Sequence, residues 1–186
     1  MNSKLMFFSS FLKKPTEVAA LAPSSRYIIN RIIKNIDFKN AKCIVEYGPG
    51  VGTITKGVLK NLAPDARLIC FELNPKFCRF LDKNINDPRL IVVNDTAENL
   101  DFYMKKFKIR NIDYVFSGIP FSLIKKGDKK FIIKKTRDNL KKGGKFIIYQ
   151  CSQHVKKYLK IYFKKILTHL ELRNIPPNFV FVCEKI

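Results

Sequence analysis

From residue 43 onward, short apolar runs alternate with helix-length amphipathic stretches, and that alternation narrows the possible folds more than any other feature of the chain. Residues 43–47, 67–72, 90–94, 112–116 and 145–149 are mostly β-branched or aromatic and lack a polar alternate position. That suits strands covered on both faces. Between them, residues 53–62, 75–84, 98–107 and 129–141 carry apolar side chains at three- and four-residue spacing, which predicts helices. Strands separated by helices return parallel, with the crossovers on the two faces of one sheet. The rhythm breaks after residue 165. Residues 166–173 and 179–183 are joined by Asn174-Ile175-Pro176-Pro177-Asn178, too short for a helical crossover, so these two strands pair antiparallel. The expected architecture is α/β: a mostly parallel seven-stranded sheet, helices on both faces, and an antiparallel C-terminal hairpin.

Upstream of the sheet, Ser24-Ser25 after Pro23 offers an N-cap for a helix through Asn35, with Ile28, Ile29, Ile32, Ile33 and Ile36 as its buried stripe. Before it, Leu5, Met6, Phe7, Phe8, Phe11 and Leu12 share one broad face, flanked by Lys4, Lys13 and Lys14 and stopped by Pro15. Two roles fit this segment: a lid packed on the sheet, or a helix lying on a membrane surface. With no internal repeat or low-complexity linker, the chain divides into residues 1–36, carrying the amphipathic and capping helices, and residues 37–186, the sheet domain.

Charge enters here. The 186 residues include 36 Lys plus Arg against 15 Asp plus Glu, a formal net charge of +21, while 46% of residues are hydrophobic. A core is therefore available and the excess charge is surface charge, which favours a polyanion, either nucleic acid or an anionic lipid surface. A Lys- and Asn-rich composition without Trp also matches an AT-rich genome. No apolar run reaches the roughly 20 residues of a membrane span, and the N-terminus lacks a secretory pattern, which reads as cytoplasmic. Five cysteines, none in C-x-x-C spacing, read as buried thiols, with no metal site expected.

The segment Val45-Glu46-Tyr47-Gly48-Pro49-Gly50-Val51-Gly52-Thr53 leaves a strand and opens a helix, the place where a nucleotide-type ligand meets a parallel sheet. A dinucleotide fingerprint would need glycine at position 53; Thr53 stands there instead. Glu46 puts a carboxylate near the loop, where S-adenosylmethionine presents its cationic amino-acid portion. Glu72, at the end of the next strand, suits both ribose hydroxyls, and Asp95, after the third, suits the adenine amino group. These residues resemble the class I S-adenosylmethionine-dependent methyltransferases. The resemblance implies that fold, Rossmann-like, and cofactor contacts from Glu46, Tyr47, Gly48, Pro49, Gly50, Gly52, Thr53, Glu72, Leu73, Asp95, Thr96, Ala97 and Ser117, with S-adenosylhomocysteine as product.

The fourth strand ends in Phe116-Ser117-Gly118-Ile119-Pro120-Phe121. In relatives that methylate amino groups of nucleic-acid bases, including ribosomal RNA adenine dimethyltransferases, the corresponding motif is N/D-x-P-Y/F; here Gly118 leads it, so the side chain that would hold a planar exocyclic amine is missing. Phe11-Leu12-Lys13-Lys14-Pro15, Leu21-Ala22-Pro23-Ser24-Ser25, Glu46-Tyr47-Gly48-Pro49-Gly50, Ser117-Gly118-Ile119-Pro120 and Arg173-Asn174-Ile175-Pro176-Pro177-Asn178-Phe179-Val180 together resemble the small soluble bacterial phospholipid N-methyltransferases. One departure is that Gln150 is followed by Cys151-Ser152-Gln153-His154 rather than shortly by an aromatic. That resemblance implies N-methylation of phosphatidylethanolamine toward phosphatidylcholine by a peripheral enzyme at the inner, anionic membrane face. Ser117, Gly118, Ile119 and Pro120 would be catalytic, and Tyr27, Phe121 and Asn174 would contact substrate. His154 is a candidate proton acceptor or a capping residue, and Tyr27, Tyr47 and Tyr149 are candidates to line a cation by π interaction. RNA modification is the alternative, served by the same lysine clusters.

Overall fold

The computed structural model describes residues 25–186; the amphipathic stretch from Leu5 to Leu12 lies outside the described residues. In chain order the elements are α1 (Arg26–Ile33), β1 (Cys43–Tyr47), α2 (Thr53–Leu59), β2 (Arg67–Phe71), α3 (Pro75–Asn84), β3 (Leu90–Val93), α4 (Leu100–Lys106), β4 (Ile112–Ser117), α5 (Lys126–Asn139), β5 (Leu140–Gln150), α6 (Lys156–Tyr162), β6 (Lys165–Glu171) and β7 (Asn178–Glu184). Short 3-10 turns at Ala97–Asn99 and Phe121–Leu123 lead into α4 and toward α5.

One seven-stranded sheet runs in the order β3-β2-β1-β4-β5-β7-β6. The first five strands in that row are parallel, and β7 runs antiparallel between β5 and β6. All five residues of β1 and all six of β4 are buried, as continuous apolar runs predict for strands covered on both faces. Alternate side chains feed two cores. Ile44, Leu68, Phe116 and Ile147 pack beneath Ile28 and Ile32 of α1 and Ile54 and Val58 of α2. Val45, Phe71, Val115 and Phe146 pack beneath Leu100 and Met104 of α4, Ile132 and Ile133 of α5, and Leu159 of α6.

Several boundaries differ from the sequence reading. Ser25 takes the N-cap position of α1 with extended backbone, but its hydroxyl makes no capping hydrogen bond and is buried without a partner among the described residues. Its amide N–H donates instead to Asn174 Oδ1 at 3.2 Å. The helix expected over 129–141 begins earlier and gives way to β5 at Leu140, so Lys141 to Gly144 belong to a strand. The register between β4 and β5 shifts in this stretch. Four of the five cysteines are buried thiols, while Cys151 is exposed. Among the described residues, no helix is long and apolar enough to cross a membrane.

Candidate active site

The sheet order reverses direction between β1 and β4, and the carboxyl ends of those neighbours meet, with Tyr47 paired to Ser117. Such a point leaves a crevice outside the strand ends. Three backbone hydrogen bonds continue the ladders one residue past the strands: Gly48 N–H to Phe71 O, Glu72 N–H to Val93 O and Gly118 N–H to Tyr47 O. They fix the glycine loop, the end of β2 and the end of β4 in one row.

Two glycines in the loop are required by geometry. Gly52 sits at φ +76° and a Cβ there would fall 2.6 Å from Leu81 Cδ2, so only glycine lets α2 start against α3. Gly50, at φ +55°, has nothing within 4 Å of a built Cβ, so the loop faces open space where a ligand approaches. Pro49 is buried, and Thr53 is the first residue of α2.

Two acidic residues sit below and beside this opening. Glu46 is fully buried; Oε2 accepts from Thr55 Oγ1 at 2.6 Å and from Cys70 Sγ at 3.3 Å, while Oε1 has no partner among the described residues. Burial pushes its carboxyl up to about 7, against the two hydrogen bonds that lower it. Glu72 accepts from Gly50 N–H at 3.1 Å through Oε2 and from Asn74 N–H at 2.8 Å through Oε1. It therefore clasps the glycine loop to the turn after β2, and each oxygen keeps a lone pair for another donor. Burial raises this carboxyl above its ordinary range. Leu73 is half-buried, and its carbonyl accepts from Asn94 Nδ2 at 3.2 Å. Asp95 accepts from Asn99 Nδ2 at 2.9 Å through both oxygens and from Tyr103 Oη at 3.2 Å, which ties it to the start of α4. Thr96 caps the turn that begins at Ala97, accepting from Glu98 N–H. Tyr47 contributes only backbone to the crevice: its ring is enclosed in the opposite core, with Oη 3.0 Å from Thr136 Oγ1.

Beyond β4, Ser117 is buried and its Oγ accepts from Ile119 N–H at 3.3 Å, holding the turn through Gly118 to Pro120. A Cβ built on Gly118 would lie 2.2 Å from Tyr149 Oη and 2.8 Å from Tyr149 Cζ. The phenol at the end of β5 thus occupies the space a side chain at 118 would need. Sequence reasoning noticed both residues but not their contact, which only the pairing of β4 with β5 creates.

The remaining expected substrate contacts are engaged within the protein. Phe121 is fully buried, edge-on to Phe146 with ring centres 6.4 Å apart, so it has no face free to stack on a base or headgroup. Asn174 is consumed at the hairpin turn, accepting from Ser25 N–H and donating to Pro176 O at 2.7 Å. Tyr27 carries the Arg173 guanidinium over its ring at 4.3 Å and accepts from Arg26 Nη2, so guanidinium groups already take the place of a ligand cation. His154 precedes α6; its amide donates to Ser152 Oγ and its ring lies 5.6 Å from Tyr158.

A family model described as ribosomal RNA adenine dimethylase matches residues 24–169, the glycine loop and the whole parallel sheet included. The chain belongs to this family. Its architecture is that of class I methyltransferases: a precorrin-6y C5,15-methyltransferase from Geobacter metallireducens superposes with a TM-score of 0.69 over 87% of this chain and 89% of that one, at 16% identity. This dimethylase-family member also aligns with the ornithine lipid N-methyltransferase of Singulisphaera acidiphila, 29% identical over 98% of this chain and 96% of that protein. The ribosomal RNA small subunit methyltransferase A of Borreliella burgdorferi is 31% identical over 65% of this chain, but the match spans 44% of that protein. S-adenosylmethionine is the methyl donor of this fold and family, and the residues present fit it: open space above Gly50, an unpartnered buried oxygen on Glu46, and spare acceptor capacity on Glu72. The family member is a methyltransferase.

Proposed function

We propose that this methyltransferase acts on the primary amine of a lipid headgroup, with phosphatidylethanolamine as substrate and phosphatidylcholine as the end of the series, while peripherally bound to the cytoplasmic, anionic face of a membrane. The observation that carries the reading is the contact between Gly118 and Tyr149. A base-methylating site needs an Asn or Asp side chain where Gly118 stands, and Tyr149 Oη fills that volume. A flexible aliphatic amine needs no planar amide to hold it. The end-to-end match with a lipid N-methyltransferase supports the same choice.

Bound S-adenosylmethionine supplies an electrophilic methyl group on a sulfonium centre. The chain's task is alignment and desolvation. Glu46 would face the cofactor's ammonium, which draws its carboxyl toward the ionised form. Glu72 would accept from the ribose hydroxyls with the lone pairs its two backbone donors leave free, and Asp95 would hold the adenine edge. The Ser117-Gly118-Ile119-Pro120 turn would border the incoming amine, with the Tyr149 phenol as its wall. An ammonium entering such a low-dielectric crevice loses its proton more easily, so the neutral amine can react.

Incubating the protein and labelled S-adenosylmethionine with phosphatidylethanolamine vesicles, and separately with ribosomal RNA, tests the reading. Label in the lipid supports it; label in RNA alone selects the alternative, which the ribosomal RNA methyltransferase relatives favour.

A further inference from the structure

Lys129 stands where α5 should be apolar. The buried positions of that helix are Lys129, Ile132, Ile133 and Thr136, the spacing of a core-facing stripe, and Lys129 is only 2% exposed. A lysine so enclosed is ordinarily paired with a carboxylate. Among the described residues, no carboxylate forms an ion pair with Lys129, Lys157 or His154. Lys129 Nζ lies instead 4.8 Å from the centre of the Tyr158 ring, Lys157 Nζ lies 5.3 Å from the same centre, and the His154 ring lies 5.6 Å away. Burial and then Lys157 lower the Lys129 ammonium below its ordinary range, and Lys129 in turn lowers His154. An aromatic face offsets part of one cation's desolvation. It does not neutralise two lysines gathered around it.

The cluster is also in the right place. Lys129 is in the first turn of the helix that follows β4, and His154 and Lys157 flank the start of the helix that follows β5. Both therefore sit at the carboxyl edge of the sheet, the edge that carries the glycine loop and the Gly118 turn.

We propose that Lys129, Lys157 and His154 form an anion subsite for the phosphodiester of an amine-bearing phospholipid headgroup. This rests on the lipid reading above and adds the group that recognises the headgroup. A largely buried lysine beside a second lysine and a neutral imidazole that can donate one N–H suits one compact phosphate; a nucleic acid needs a row of contacts along its backbone. Pairing has a chemical consequence as well. A nearby phosphate anion holds an ammonium protonated, and neutralising that phosphate with Lys129 and Lys157 releases the restraint, so the same contact that anchors the headgroup favours the neutral amine.

Calorimetric titration of the full chain with glycerophosphoethanolamine, the soluble headgroup, tests the subsite. Lys129→Met should weaken binding at least tenfold, leave S-adenosylmethionine affinity unchanged, and raise the melting temperature, because methionine suits the apolar stripe. A residue with a purely structural role would not separate headgroup affinity from stability in opposite directions. Should Lys129→Met fail to fold, Lys157→Gln, on the surface of the same cluster, is expected to weaken headgroup binding as well. Unchanged headgroup affinity in a folded variant overturns the proposal. So does inorganic phosphate binding as tightly as the headgroup, or Lys129-dependent binding of a short RNA oligonucleotide with none of the headgroup. Methyl transfer to phosphatidylethanolamine vesicles by the wild-type chain is measured separately: transfer with a KM insensitive to Lys129 defeats the subsite alone, and Lys129-dependent headgroup binding without any transfer defeats the lipid reading alone.

Discussion

A carboxyl group sealed under the glycine loop with one oxygen unpartnered holds its proton to a higher pH than a solvated one, and Glu46 makes the cofactor-free protein sensitive to pH for that reason. Folding raises this group from its ordinary 4.5 to about 7. Its contribution to stability is therefore complete below about pH 4.5 and is lost as the pH rises through about 7, a window corresponding to about 3 kcal/mol at most. Glu46→Gln should melt at higher temperature than the wild type at pH 8, with the gap closing toward pH 4.5, and should bind S-adenosylmethionine more weakly; thermal melts across that range and calorimetry read both. Equal melting temperatures at pH 8 would mean that Glu46 finds a partner when ionised. Glu72→Ala removes a charged acceptor together with the clasp on Gly50, and a loss of about 1.5–3 kcal/mol predicts ten- to a hundredfold weaker cofactor binding by calorimetry. At Gly118 the expected effect is steric. Gly118→Asn must displace the Tyr149 ring, so it should cost about 1–3 kcal/mol in urea unfolding, and Tyr149→Ala in the same chain should recover most of that loss.

The β6–β7 turn is joined to α1 by Asn174, which receives the Ser25 amide and donates to Pro176, and by Arg173, whose guanidinium lies over the Tyr27 ring. Asn174→Ala leaves that half-buried amide N–H without its acceptor, and it should cost about 1 kcal/mol, with faster hydrogen exchange in α1 as the local readout. Nearby, the guanidinium groups of Arg173 and Arg31 hold the Glu171 carboxyl down at about 2, so this brace persists above the ordinary carboxylate range and is lost only as the pH falls through about 2. How well each element could be read from sequence follows from where its information resides. β1, β2 and β4 are apolar at nearly every position, and both their existence and their parallel pairing were legible. Helix α6, Lys-Lys-Tyr-Leu-Lys-Ile-Tyr, is seven residues long with no side-chain cap, and its lysines hid it among the other basic clusters. The start of β5 was hidden by Lys141-Lys142-Gly143-Gly144, whose strand conformation comes from neighbouring strands rather than from its own residues. The glycine loop was legible because its positive-φ backbone limits which residues can stand there, and Glu46, Glu72 and Asp95 were legible as carboxylates at or just after the ends of successive strands. The burial of Lys129 and the ring over Gly118 were not, because each arises from two elements distant in sequence.

At the scale of the whole molecule, a net charge of +21 is spread over a chain in which most apolar side chains of the described residues are committed to two cores. Attraction to an anionic surface then depends on salt, since exposed charges are screened over about 10 Å at 0.1 M ionic strength. Flotation with anionic vesicles should decline as ionic strength rises, and removal of residues 1–14 should abolish flotation while S-adenosylmethionine binding stays measurable; undiminished flotation of the shortened chain would remove the membrane role of that segment. The placement of β7 bears on how the protein is made. Strands β1 to β3 pair with neighbours separated from them by one helix, so the left half of the sheet can assemble as it leaves the ribosome. Strands β5 and β6 are both synthesised before β7, the strand that fills the gap between them, and until it emerges each presents an open edge. During each round of synthesis the nascent chain therefore passes through an interval in which two sticky edges await a strand not yet translated, and this is when wrong pairing between chains has its widest opening.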